Sequence, residues 1–328
     1  MESSPPRIAR PTRARSRVAR ALRAFGLVLL AVLGAGFLTT RVLQGRAEDA
    51  FPQRGRIVEV RGTGQHVLEA GSGAPIVFVH GAFGGLQDFV ETIWGEVARS
   101  HRCIAWDRPG HGYSERPERP LDPGAQAELL LELLAELHLD EPPLLVGFSY
   151  GGAVVLAAAL QAPERLRGVV MLNGPSHPWR DPLDLSYRFP AWPLVGPLLT
   201  ETCVAPLGAL TSEASVADAF APAPVAPAFE GSPIALALRP ASYRANAEDV
   251  RLLKPFLRAQ VPRYPGLAVP VTMVVAEGDR VVSPTIHSLQ LAAASENVRV
   301  VRVAGAGHQI LYSHPERVLR ELERAAAR

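Results

Sequence analysis

Cysteine is scarce in this sequence: Cys103 and Cys203 are the only two in 328 residues. So few exclude a disulfide scaffold and a cysteine-rich metal site, while one bridge between them stays open. Lysine is scarcer still. Lys254 stands alone among 34 basic residues, a preference for arginine that reflects genome composition rather than function. Charged residues make up only 20% and hydrophobic residues 48%, which excludes general disorder. A mean hydropathy of +0.10 is high for a purely soluble protein and low for one with many membrane spans. The length suits one large domain, or a domain with an insertion, around a sizeable core.

Basic charge is missing from most of the chain. Residues 1–46 hold nine arginines against one acid, Glu2, whereas the remainder carries 25 basic and 31 acidic residues. That body lacks the basic excess that nucleic acid binding needs, so no nucleic acid partner is expected. Arginines at 7, 10, 13, 15, 17, 20 and 23 precede Ala24–Thr40, an uncharged run closed by Arg41. As a helix this run reaches about 25 Å, against roughly 30 Å of hydrocarbon core, with Arg23 and Arg41 able to snorkel. The expectation is a single-pass membrane anchor, its arginine-rich end cytoplasmic and the body on the outer (periplasmic or extracellular) side. The alternative is a cleaved signal peptide and a secreted body, although Gly34–Ala35–Gly36 makes a poor cleavage site.

Beyond a linker from Gly45 to Gly55, strand and helix patterns alternate. Arg56–Val60 and His66–Ala70 flank Gly62 and Gly64 and predict an antiparallel hairpin. Pro75–Val79 is continuously apolar, as a strand buried on both faces would be. Further strands are predicted at Arg102–Trp106, Leu144–Phe148, Gly168–Leu172, Val271–Ala276 and Val298–Val303. The helices between them fall at Asp88–Ser100, Leu121–Leu139, Tyr150–Ala162, Pro284–Ser295 and Pro315–Ala327. Such alternation means an α/β fold with a mostly parallel sheet and helices on both faces. Residues 175–268 break the rhythm with half of the 30 prolines, yet also hold Trp179, Phe189, Trp192, Phe229 and Tyr243. That stretch predicts a cap of short helices and extended loops over the sheet's carboxyl edge, where open α/β sheets bind ligands. The expected organisation is therefore tail and membrane segment at 1–46, core at 47–174, cap at 175–268 and core again at 269–328.

The chemistry gathers at strand ends. Gly147–Phe148–Ser149–Tyr150–Gly151–Gly152 follows a buried strand and opens a helix, the context of a G-x-S-x-G nucleophile turn. The turn strains Ser149, leaves no room for bulky neighbours, and aims Oγ out of the sheet edge. The loop His80–Gly81–Ala82–Phe83–Gly84–Gly85 can direct a backbone N–H to the point served by the N–H of Tyr150. Two such donors make an oxyanion hole, with Ala82 the first choice for the second donor and Phe83 its alternative. Asp279 and His308 stand in loops directly after two later strands, and the chain order Ser149, Asp279, His308 is the one this topology requires. His308 would take the serine proton and Asp279 would orient the imidazole, with Glu277 as the nearest competing acid. His80 and His111 read as structural.

The set HGAFGG, DRPGHGYS, GFSYGG, EGDRVV and GAGH resembles the α/β-hydrolase superfamily, in the branch that carries a cap between strands six and seven. The resemblance covers roughly residues 56–328 outside the cap. It implies an eight-stranded sheet with one antiparallel hairpin strand, no metal and no organic cofactor. Epoxide hydrolases and haloalkane dehalogenases place aspartate where this chain has Ser149, and an acid after strand six would need a carboxylate near Asn173. The leading expectation is a serine esterase acting through an acyl-enzyme on a small apolar or aromatic substrate, with Phe83 and Tyr150 beneath the cap contacting it. Carbon–carbon bond hydrolysis or cofactor-free perhydrolysis on the same triad is the first alternative. A binding module that merely keeps the fold is the second. Oligomeric state is not legible.

Overall fold

A computed structural model describes residues 13–328; Arg7 and Arg10 of the predicted basic tail lie outside the described residues. Eight strands form one sheet: β1 (Arg56–Val60), β2 (Thr63–Ala70), β3 (Pro75–Val79), β4 (Arg102–Trp106), β5 (Leu144–Phe148), β6 (Gly168–Leu172), β7 (Val271–Ala276) and β8 (Val298–Val303). Their order is β1-β2-β4-β3-β5-β6-β7-β8. β2 runs antiparallel to both neighbours and every pair from β4 onward is parallel. Every residue of β3, β5, β6 and β7 is buried, because helices cover both faces of the central strands. The hairpin turns at Arg61 and Gly62, both with positive φ, which matches the strand twist better than a turn through Gly64.

The helices cover the sheet much as their patterns imply. Pro123–Glu136 starts from Asp122, whose side chain accepts the Ala125 N–H at 2.9 Å, with proline in the first turn where its missing N–H costs nothing. One expected helix is divided. Between Asp88 and Ser100 the chain forms two short turns, Gln87–Val90 and Trp94–Val97. Thr92 Oγ1 takes the Asp88 carbonyl at 2.6 Å, so side chain competes with backbone at the break. The cysteines do not pair: Cys103 is buried in β4, Cys203 lies on a cap helix, and both are free.

The connection from β6 to β7 is more regular than its prolines imply. It contains a short helical segment, Leu185–Ala191, set at 120° to a longer helix, Val195–Phe220, and a 21-residue helix, Pro240–Gln260. Pro240 occupies a first turn, so it starts a helix rather than breaks one, while Pro206, just after the π-helical stretch Thr200–Val204, and Pro255 are accommodated inside helices. No helix or strand forms from Ala221 to Ala226, as the clustered prolines there require.

The expected linker at Gly45 is not one. A single helix runs from Arg13 to Ala50, and only a few residues after it are irregular before β1. Its apolar window has a mean hydropathy of 2.1 and none of it is buried. By length and composition this helix is long enough to cross a membrane or to serve as a signal sequence. Its last third docks on the cap: Thr40 and Ala47 are buried, Arg41 pairs with Glu201, and Arg239 reaches Glu48 at 3.2 Å. Those contacts hold Gly45 in a helix that its own propensity does not favour.

Candidate active site

Ser149 stands between the end of β5 and the helix Tyr150–Gln161, with φ +49° and ψ −121°. Few residues but glycine adopt that region, and the neighbours show why it persists. A Cβ on Gly147 would strike the Gly151 backbone, one on Gly151 would strike Val79 O, and one on Gly152 would meet the Gly174 Cα. The helix therefore sits as close to the sheet as backbone allows, and the turn delivers Ser149 into the cleft above.

His308 Nε2 lies 2.9 Å from Ser149 Oγ, and His308 Nδ1 lies 2.8 Å from Asp279 Oδ2. The other carboxylate oxygen, Asp279 Oδ1, accepts the N–H groups of Val281 and Val282 at 2.8 Å each. All three side chains are buried. Glu277, the competing acid, turns away toward Arg302 at 4.0 Å. The structure thus brings Ser149, Asp279 and His308 into one hydrogen-bonded line from loops after three different strands.

The loop after β3 flanks Ser149. A Cβ on Gly81 would come within 2.9 Å of Ser149 Cβ. Ala82 and Tyr150 line the cavity that Ser149 opens into. Phe83 does not: its N–H donates to Asn246 Oδ1 at 2.9 Å, and its ring packs on Tyr187 and Tyr243 of the cap. Both its candidate roles, donor and substrate contact, are therefore occupied by cap contacts. His80 is buried; its Nε2 accepts the Arg108 N–H at 2.9 Å, so Nδ1 carries the proton given to Gly81 O at 2.8 Å. Burial holds the His80 and His111 imidazoles well below their usual range, and both are neutral structural groups.

Two positioning residues are given no role by the sequence, Arg108 within DRPGHGYS and Asn173 at the end of β6. Arg108 is fully buried and donates to the carbonyls of His80 and Gly81 at 3.0 Å each, while its guanidinium lies over the Tyr150 ring, 4.4 Å from the centroid. Asn173 donates to His308 O at 2.9 Å and accepts the Ala276 N–H at 2.8 Å, so it ties the histidine loop to β7. Its position at the end of β6, beside the triad strands, was the available signal. The cavity measures about 330 Å³. Trp179, Leu183, Tyr187 and Leu253 of the cap form its roof, Ile286 and His287 one wall, and Asp181, Asp184 and Arg280 add charge. A larger open groove of about 790 Å³ beside Tyr113 and Arg251 contains no triad residue. Among the described residues no group of three His, Cys, Asp or Glu side chains could hold a metal ion.

The chain is 33% identical over 143 residues to a 2-hydroxymuconate semialdehyde hydrolase of Pseudomonas sp. (strain CF600), covering 42% of this chain and 50% of that protein. It thus spans half the length of that relative. A 2-(acetamidomethylene)succinate hydrolase of Mesorhizobium japonicum is 30% identical over 259 residues, covering 78% of this chain and 89% of its own. The fold is similar to the crystal structure of the enol-lactonase from Burkholderia xenovorans LB400, with a TM-score of 0.66 at 19% identity over 83% of this chain and all of the other. A family model described as the alpha/beta hydrolase fold matches residues 74–315. With an eight-stranded sheet of this order and a serine turn at its carboxyl edge, the chain belongs to the alpha/beta hydrolase fold family.

Proposed function

We propose that this protein is a serine hydrolase that cleaves a carboxylic ester of a small apolar or aromatic substrate, and that Ala24–Thr40 anchors it in a membrane with the arginines on the cytoplasmic side. The observation that carries the catalytic reading is the unbroken line from Ser149 Oγ through the His308 imidazole to Asp279, beginning on a serine with φ +49°. Ser149 Oγ attacks the ester carbonyl while His308 Nε2 takes its proton. Asp279 Oδ2 accepts a hydrogen bond from Nδ1–H and stabilises the imidazolium that forms. The N–H groups of Tyr150 and Ala82 face the oxyanion, since that of Phe83 is spent on Asn246. Collapse of the tetrahedral adduct breaks the bond to the alcohol oxygen, which leaves with the proton from His308. Water then adds to the acyl-enzyme, giving a proton to His308, and release of the acid restores Ser149.

A second reading keeps the triad and changes the bond. The names of relatives, 2-hydroxymuconate semialdehyde hydrolase among them, favour carbon–carbon bond hydrolysis of a vinylogous diketone. Parallel turnover of an aryl ester and a vinylogous diketone separates the two, with peroxide consumption as a check on perhydrolysis. A fluorophosphonate probe addresses the triad itself: stoichiometric labelling of Ser149 is expected, and a chain left unlabelled is a binding module rather than an enzyme.

A further inference from the structure

The bend that leads into the cap helix Val195–Phe220, with the first turn of that helix, presents large apolar side chains to solvent. Leu194 is 88% exposed, and Trp192, Val195 and Leu198 are close to half exposed, all within one turn of the helix start. Leu194 also has φ +62°, a left-handed conformation that leucine rarely adopts, at the very tip of the turn. Nothing in the core requires either feature. An isolated soluble domain would place glycine or asparagine there.

The neighbour of this turn says what covers it. The N-terminal helix approaches so closely that a Cβ on Gly36 would strike the Thr202 backbone, and Arg41 pairs with Glu201. Further along, Thr40–Ala50 shares one cavity with Ala205, Ala209 and Ser212, so the two helices run in the same chain direction. With Thr202 level with Gly36, Leu198 stands about 6 Å nearer the arginine-rich end and Val195 about 10 Å nearer, at 1.5 Å per residue. Both are then level with residues inside the uncharged run Ala24–Thr40. Glu201, which lies at that depth, is neutralised by Arg41 on one side and Arg244 on the other at 2.9 Å.

We infer that the cap turn Trp192–Leu198 is seated in the hydrocarbon of the phospholipid bilayer that the N-terminal helix crosses, and that the enzyme takes its ester from that bilayer. The inference rests on the proposed anchor. It also explains the route: Tyr187 in the cavity roof is followed by exposed Arg188, then by Phe189 and the exposed turn. An amphiphile whose acyl chain lies in the bilayer can pass along this segment to Ser149 without crossing water.

The test uses the full chain reconstituted in phosphatidylcholine–phosphatidylglycerol vesicles with and without brominated phosphatidylcholine. Trp94 and Trp106 are buried and Trp179 is partly covered, so Trp192 is the most exposed of the four tryptophans. Brominated lipid should quench part of the emission in the wild type, and Trp192→Phe should abolish that part. Leu30→Trp in the Trp192→Phe background reports on the anchor separately. Quenching of Leu30→Trp without quenching of Trp192 leaves the anchor standing and overturns the inference; quenching of neither overturns both. Protection of Trp192 from brominated lipid and iodide alike means a protein partner covers it, which also overturns it. As a functional arm, Leu194→Asp should slow a vesicle-borne long-chain ester at least 10-fold and leave a water-soluble acetate ester within 2-fold. Equal effects on both esters remove the case for delivery from the bilayer.

Discussion

Arg108 and Asp249 form an ion pair, Nη1 to Oδ2 at 2.5 Å, in which both side chains are wholly buried. Arg108 comes from the loop after β4 and Asp249 from the long cap helix. The same guanidinium holds the His80 and Gly81 carbonyls and covers the Tyr150 ring. Arg116 and Gln126 complete the carboxylate's partners at 2.9 and 3.0 Å. The cap is thus latched to the loop that carries Ala82, and the latch is made of charges that water cannot replace.

Removing one half of that latch should be costly. Asp249→Ala leaves Arg108 charged, buried and unpaired, and such a loss costs about 3–5 kcal/mol. Urea unfolding should show a destabilisation of that order, and kcat/KM should fall as the Gly81 loop loosens. A change below about 1 kcal/mol would mean that water or the cap relaxes into the gap.

The nucleophile should be separable from the fold. Ser149→Ala removes one oxygen from a backbone already held by Gly147, Gly151 and Gly152. Folding should be unchanged, turnover should fall roughly 10³-fold or more, and fluorophosphonate labelling should vanish. Near-native turnover in Ser149→Ala would falsify the triad mechanism.

The histidine beside the cavity should show in the pH dependence of stability. Burial, reinforced by the neighbouring His177, holds His287 down to about 4. Its Nδ1 accepts the N–H groups of Ser176 and His177 at 3.2 Å, which needs that nitrogen unprotonated. A folded-state value below the unfolded 6.5 means the unfolded chain binds the proton first. Its contribution is complete above about pH 6.5 and is lost as pH falls toward 4. Proton NMR of the imidazole should give a midpoint near 4, and the melting temperature should decline across that window. A His287 midpoint near 6.5 contradicts the buried, neutral assignment.

The N-terminal helix should survive in the mature protein. Cleavage after Arg41 would strip Thr40 from the cap and leave Glu201 without Arg41, and cleavage after Ala47 would remove that buried contact as well. Intact protein should therefore begin upstream of Arg23 and resist carbonate extraction from membranes. An N-terminus mapped at residues 36–50 would establish signal cleavage instead.

Cavity size should set the preferred acyl chain. Each methylene buried there is worth about 0.8 kcal/mol until the volume is filled. Leu253→Trp, filling the roof, should move the optimum of kcat/KM to shorter esters with little change for acetate. An unchanged chain-length profile would place the acyl group elsewhere.

The sequence by itself determined the sheet and the positions of Ser149, Asp279 and His308. Continuous apolar runs mark strands covered on both faces, and strand ends followed by glycine turns mark where polar side chains can emerge. These are local signals, readable within a few residues. The choice of Asp279 over Glu277 was open in the sequence and is decided by a 2.8 Å contact to His308, which depends on how two distant loops meet. The cap's long helices, the continuation of the N-terminal helix through Gly45, and the occupation of Phe83 by Asn246 were likewise invisible. Each is held by partners 40 to more than 190 residues away in sequence, so tertiary packing overrides what propensity predicts. Arg108 shows the limit most clearly. It stands in the motif DRPGHGYS, but that stretch does not give its role, and only the folded protein seals it between Asp249, Gly81 and Tyr150.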